Sequence, residues 1–478
     1  MLKKFLREKE IRDRLSEAQG MEPHLLNLLF EKIEFNRILR FKKTVRQLLR
    51  NILAIGIKNC LKNLSNKNII NSVNNPSNRR KKILFVAELP TFNLVGISIY
   101  LRKTGEYDTT LVIGNPWLVN FFTQYFDNVY VYSSYYDVAQ ILIASEPYIV
   151  HVQVSSHYFL GVMAICLSSA STIIGFNDVP SLNEDFEGEV PYEIRKTNQK
   201  TSIPTSVEKL AEEFIFKNAD GIIFTVNTFA AGDKLRLHYK LSTPLIEFPA
   251  YVCDEFISED EKYSKKDGKI HIVYGGIVAP SDKPKRLYSI VQFIDLAKKL
   301  VQQGISFHLY TSPHISPYQF KSLFPDYLQL AAKTSDFSIK PGIPYTKAIK
   351  EFSKYDFATI TSLSPCCLPV AKYSVLPGKF FTYLSAGIPM IVTESDGNSM
   401  DLVKKYAVGI VIKQDEVGSL FEIVKKCDYE KLRHNIKQAQ EELSMKKHIG
   451  RLIEFYDQVY ATKTLKHEAR QPEVLTVN

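Results

Sequence analysis

Short apolar runs recur along this chain with room for a helix between most of them, and that alternation restricts the fold more than any other feature. The first series is Lys81–Pro90 (KKILFVAELP), Thr109–Ile113, Val129–Tyr132, Tyr148–Val154, Thr172–Phe176, Gly221–Thr225 and Leu245–Phe248. Helical stretches such as Glu208–Asn218 lie between several of them. A second series opens at Lys269 (KIHIVYGG), passes a helix over Leu287–Gln303 and the strand SFHLYTS, and continues through Phe337–Lys340, Phe357–Thr361, Pro389–Thr393 and Val408–Ile412. Strands bounded by helices pair in parallel, since a parallel neighbour is reached only by a crossover. The expected fold class is α/β, with two Rossmann-like doubly wound domains facing a cleft at the carboxyl ends of their strands.

Phe159 to Phe176 comes nearest to a membrane span, but Ser168, Ser169, Ser171 and Thr172 interrupt it, so a buried helix followed by a strand is expected. The divisions read from texture are 1–82, 83–253, 268–445, a terminal helix over 446–463 and a polar tail over 464–478, with a charged linker at 254–268. At 478 residues with 45% apolar and 23% charged side chains, the chain is long enough to bury its cores without cross-links. Its six cysteines form no CxxC or Cys/His spacing, so no metal site and reduced thiols in a cytoplasm are expected. The opening MLKKFLREKE carries charges where a secretory leader needs an apolar stretch.

Charge is unevenly placed. Residues 1–82 hold 20 Lys+Arg and 7 Asp+Glu, a balance of +13, whereas the remainder is −3. Ile38, Phe41, Val45, Leu48, Leu49, Ile52, Ile55 and Leu61 recur at mostly helical spacing, with Arg37, Arg40, Lys43, Arg46 and Arg50 between them. A basic amphipathic helix of this kind suits an anionic membrane surface; packing against the protein's own body is the alternative. Asn63–Lys82, rich in Asn, Ser and Lys, reads as a linker. Nucleic acid is not expected as a partner, because no aromatic side chains interleave the charges.

The segments YGGIVAP, IKPGIPYTKAIKEFSKYDFATI, LPGKFFTYLSAGIPMIV and GIVI occur in that order. Together they resemble the donor domain of GT-B glycosyltransferases, in particular the family 4-like group. The resemblance covers residues 268–415, and 83–250 in texture only. It implies that 83–253 is the acceptor domain, that 268–445 binds a nucleotide sugar, and that the terminal helix crosses back to the first domain.

Each motif also has a physical reading. Gly275-Gly276 after a strand lets backbone approach a phosphate and offers amide donors; a plain strand-end turn is the alternative. Lys379 follows Pro377-Gly378 at a helix start, where ammonium and helix dipole both favour a leaving diphosphate. Lys283, Lys285 and Arg286 stand where the resemblance implies a basic phosphate ligand, with a solvated cluster as the rival reading. Pro341-Gly342-Ile343 is implied to hold the base, and Thr311-Ser312 to lie near the same cleft. Two glutamates of the family pattern fall on Ser374 and Thr382, so any contact to sugar or ribose there lacks a charge. The arginine that often follows the glycine turn falls on Gly276.

In the first domain, Asp178 lies just beyond strand 172–176 and His157 just beyond strand 148–154. Asp178 is a candidate general base if the reaction inverts, with an Asx turn as the alternative, and His157 is a second candidate base or a sugar ligand, with a packed or surface histidine as the alternative. The long polar loop from Asn183 to Thr205 is placed as an acceptor lid. No DxD pair stands ready for a metal, and no cofactor is expected beyond the nucleotide-sugar donor.

The function expected is transfer of a sugar to a glycan or lipid-linked acceptor, in polysaccharide biosynthesis. The expected setting is cytoplasmic, peripheral at the inner face of the membrane. The alternatives are a catalytically silent GT-B subunit and a sugar-nucleotide epimerase of the same fold. Donor, linkage and oligomeric state are open.

Overall fold

In the computed structural model the first series of apolar runs becomes seven strands: β1 (Lys81–Ala87), β2 (Tyr107–Ile113), β3 (Asn128–Val131), β4 (Ile149–Val154), β5 (Ser171–Phe176), β6 (Gly221–Phe224) and β7 (Leu245–Glu247). The structure describes residues 2–33, 66–74, 80–88, 90–154, 158–176, 205–224, 242–283, 285–313, 315, 317–364 and 378–468. These fall into two compact units, one of 2–176, 205–248 and 449–468, the other of 249–448.

The first unit holds a parallel sheet in the order β3-β2-β1-β4-β5-β6-β7. Strands β4 and β5 are buried along their whole length, and the polar residues they carry, His151 and Gln153 in β4 and Ser171 and Thr172 in β5, are buried with them. The serine-interrupted stretch resolves into helix Phe159–Leu167 and β5.

Helices Leu2–Ser16, Pro23–Ile33 and Asn66–Val73 belong to this unit, and Ile11, Leu15, Leu25, Leu29, Ile33, Ile69 and Val73 are buried in its core. The linker expected over 63–82 therefore contains a helix. Its polar composition concealed a buried pair, Ile69 and Val73, at helical spacing. Asn74 fixes the helix end: its Nδ2 donates to Ala144 O at 2.8 Å and its Oδ1 accepts from Glu146 N at 2.8 Å. The basic amphipathic stretch Ile38–Leu61 lies outside the described residues.

The last helix, Met445–Glu468, adds its residues 449–468 to the first unit. Tyr456 Oη meets His151 Nδ1 at 2.7 Å, and Asp457 and Lys463 form ion pairs with Lys81 and Asp220 at 2.8 and 2.9 Å.

The second unit holds six parallel strands: β8 (His271–Gly275), β9 (Ser306–Tyr310), β10 (Phe337–Lys340), β11 (Phe357–Thr359), β12 (Met390–Thr393) and β13 (Gly409–Ile412). Their order is β10-β9-β8-β11-β12-β13. The single helix expected over Leu287–Gln303 is broken. A short helix at Lys285–Tyr288 and a 3₁₀ turn at Ser289–Val291 precede helix Ile294–Gln302. Neighbouring chain takes the backbone groups a continuous helix would use. Ser362 N–H donates to Ile290 O, Ala279 N–H to Val291 O, and Phe293 N–H to Tyr327 Oη, at 2.9, 2.8 and 2.9 Å.

In each sheet the chain order reverses beside the first strand, at β1/β4 and at β8/β11, and crevices at such reversals are where doubly wound sheets bind ligands. Among the described residues no helix is long and apolar enough to cross a membrane.

Candidate functional site

The carboxyl ends of β8, β9 and β10 are stitched together by hydrogen bonds across the strand ends. Gly276 N–H donates to Tyr310 O at 2.9 Å, Thr311 N–H to Lys340 O at 3.0 Å, and Gly342 N–H to Thr311 Oγ1 at 3.2 Å. Gly342 lies directly on residues 311–313; a Cβ there would meet Ser312 C at 2.5 Å. Pro341-Gly342-Ile343, implied to hold the base, and Thr311-Ser312, implied to lie near the same cleft, are thus brought side by side in the second unit.

Gly275 and Gly276 do not offer the amide donors expected of them. Gly275 N–H donates to Tyr383 Oη at 2.9 Å, and Gly276 N–H is the one bonded to Tyr310 O. Glycine is required at both positions for other reasons. A Cβ on Gly275 would overlap the Phe352 ring, and Gly276 has φ +149°, a conformation that L side chains rarely adopt. Tyr274, fully buried, closes the turn by donating from Oη to Ile277 O at 2.7 Å.

Lys379 comes to this turn from helix Gly378–Ser385. Its stem passes Gly276, with Cδ 3.5 Å from where a Cβ would stand, and its Nζ lies 5.2 Å from the centroid of the Tyr274 ring. The ammonium makes no hydrogen bond to a described residue. Burial draws its pKa down to about 8, and the charge of Asp396 opposes that shift. Asp396 follows β12 and is itself buried, which raises its pKa; bonds from Thr393 and Thr361 and the Lys379 charge pull it back. Thr393 N–H donates to Asp396 Oδ2 at 2.6 Å. The strand ends thus present a half-buried cation, steadied by an aromatic face and a carboxylate, with no anion bonded to it among the described residues.

Other expected site residues are placed differently. Thr382 is buried and its hydroxyl donates to Gly378 O at 2.9 Å, inside its own helix. Lys283 is exposed, and among the described residues only its backbone is held, by Pro280 O and Gln292 Nε2. Lys285 pairs with Asp295. Arg286 lies in the short helix, with its side chain outside the described residues. Asp178, His157 and Ser374 also lie outside them. Asp396, Tyr274 and Tyr383 were not singled out from sequence; the signal for Asp396 was an Asp-Gly pair shortly after an apolar strand.

The structure aligns over 79–80% of its length with whole chains of known architecture. One is a sucrose-phosphate synthase from Thermosynechococcus elongatus, at TM-score 0.53 and 11% identity, covering 80% of this chain and 100% of that one. The chain has the GT-B fold. HepE from Anabaena, solved in complex with UDP, aligns at TM-score 0.52 and 13% identity, covering 79% of this chain and 100% of HepE. Residues 370–454 match the domain family described as "Glucosyltransferase 3-like, C-terminal domain", a stretch that includes Lys379, Thr382 and Asp396. No curated protein matches the chain. These likenesses carry the GT-B resemblance and do not single out the family 4-like group. In GT-B terms the first unit is the N-terminal Rossmann-like domain and the second the C-terminal one.

Proposed function

We propose that the protein transfers a sugar from a nucleotide sugar, held by the C-terminal GT-B unit, to a hydroxyl of a glycan or lipid-linked acceptor held by the N-terminal unit. One observation carries this reading: Lys379, at the head of its helix and over the Gly276 turn, has an ammonium with no hydrogen-bonded anion among the described residues. A diphosphate is the group such a position stabilises, and stabilisation grows as the leaving group gains charge. The paired segments 311–313 and 341–343 supply backbone and apolar contacts for a base. UDP is the nucleotide to try, since it is the one bound by HepE.

A catalytically silent GT-B subunit is the second reading, and Thr382 favours it: its hydroxyl is engaged inside its own helix, where the family pattern has a carboxylate. UDP release from UDP-glucose, UDP-galactose and UDP-N-acetylglucosamine separates the two. A transferase releases UDP slowly to water and faster to an acceptor; a silent subunit binds UDP and releases none. In the transferase, Asp178→Asn tests the base expected from sequence: transfer lost at unchanged UDP affinity would assign it that role, and transfer retained would remove it.

A further inference from the structure

The ends of β1, β2 and β3 each contribute one residue to a single cluster in the N-terminal unit. Glu88 follows β1, Gly114 follows β2 and Tyr132 follows β3. The Glu88 carboxyl lies on Gly114, so closely that a Cβ there would fall 2.6 Å from Glu88 Cδ and 2.7 Å from Tyr132 Oη. Tyr132 Oη donates a short hydrogen bond to Glu88 Oε2. The other carboxylate oxygen, Oε1, has no partner among the described residues. The loop carrying Glu88 is clamped to the neighbouring strand: Thr91 N–H donates to Gln153 Oε1 at 2.7 Å, and Gln153 Nε2 to Thr91 Oγ1 at 2.8 Å. That clamp spans β1 and β4, the point where the strand order reverses.

We propose that Glu88 is the proton acceptor of the N-terminal unit, taking the proton of the acceptor hydroxyl in an inverting transfer. The assignment rests on the transferase reading. The acceptor O–H bond breaks and its proton passes to Glu88 Oε1. The acceptor oxygen bonds the anomeric carbon from the face opposite the leaving group. The bond from that carbon to the diphosphate oxygen breaks, and its electron pair leaves with the nucleoside diphosphate. Burial raises the Glu88 pKa to about 7, where a carboxylate is both a competent base and substantially ionised at neutral pH. Tyr132 and Tyr135 are the titratable side chains that face it among the described residues.

The test uses the full chain, UDP titration, and the three UDP-sugars with water and p-nitrophenyl glycosides as acceptors. Glu88→Gln should lower turnover by about 100-fold or more while leaving UDP affinity within twofold. The wild-type rate should fall on the acid side of pH 7. Tyr132→Phe should move that limb to higher pH, because losing a donor to the carboxylate favours its protonated form. E88Q turnover within threefold of wild type, a limb unmoved in Y132F, or retention at the anomeric carbon overturns the assignment. If E88Q does not fold, the Y132F limb decides alone. A wild-type chain that binds no UDP and releases none overturns the transferase reading and Glu88 with it. UDP binding with an indifferent E88Q overturns Glu88 only.

Discussion

At Gly275 a hydroxyl, not a backbone carbonyl, receives the strand-end N–H, and the Tyr383 that supplies it is wholly buried. Tyr383→Phe keeps the ring and leaves that N–H unpaired, which costs about 1–3 kcal/mol. Urea unfolding should show a lower midpoint with an unchanged slope; an unchanged midpoint would mean that water replaces the bond at no cost. Lys379 supports a prediction of definite sign. Burial holds its pKa at about 8, and a bound diphosphate raises it, because an anion favours the charged form. UDP affinity should therefore be fully present below pH 8 and decline as pH rises past it. Calorimetric titrations at pH 7 and pH 9 check this, and equal affinities at both would place Lys379 away from the phosphates.

Among the elements, the strands were legible because both faces of a parallel sheet are covered, so β4 and β5 are mostly apolar and fully buried. The break near Ser289–Val291 was not, because residues far away in sequence cause it: Tyr327 and Ser362 take groups that local spacing assigns to a helix. The site divides in the same way. Lys379 and the glycine turn carry local motifs. Asp396 and Glu88 acquire meaning only when separate strand ends converge around them.

The N-terminal elements also change how membrane binding is tested. Removing residues 1–80 would strip Ile11, Leu15, Leu25, Leu29, Ile33, Ile69 and Val73 from the core, so truncation confounds binding with folding. Reversing Arg37, Arg40, Lys43, Arg46 and Arg50 to Glu in the full chain avoids this. If the segment docks on anionic lipid at about 1 kcal/mol per basic residue, the native chain co-sediments with anionic vesicles and the reversed one stays in solution. Equal sedimentation of the two would remove the segment from membrane binding.

For the whole molecule, each unit holds a histidine that stays neutral: His151, buried, in the first and His308, partly buried, in the second, both with pKa lowered to about 3, chiefly by desolvation. An unfolded histidine titrates near 6.5, so the unfolded chain binds more protons between the two values. Stability should fall as pH drops below about 6.5 and level off near 3, by up to about 1.4 kcal/mol per pH unit for each histidine. Urea midpoints across that range check it, and His151→Gln should flatten the dependence. The account's central claim, that the C-terminal GT-B unit holds a nucleoside diphosphate at Lys379, is tested most directly by calorimetric titration of UDP into the full chain and its Lys379→Ala variant at pH 7. One charge-assisted contact is worth about 1.5–3 kcal/mol, so the variant should bind about ten- to a hundredfold more weakly with its unfolding midpoint retained. Absence of UDP binding by the native chain, or equal affinity in the two, would contradict it.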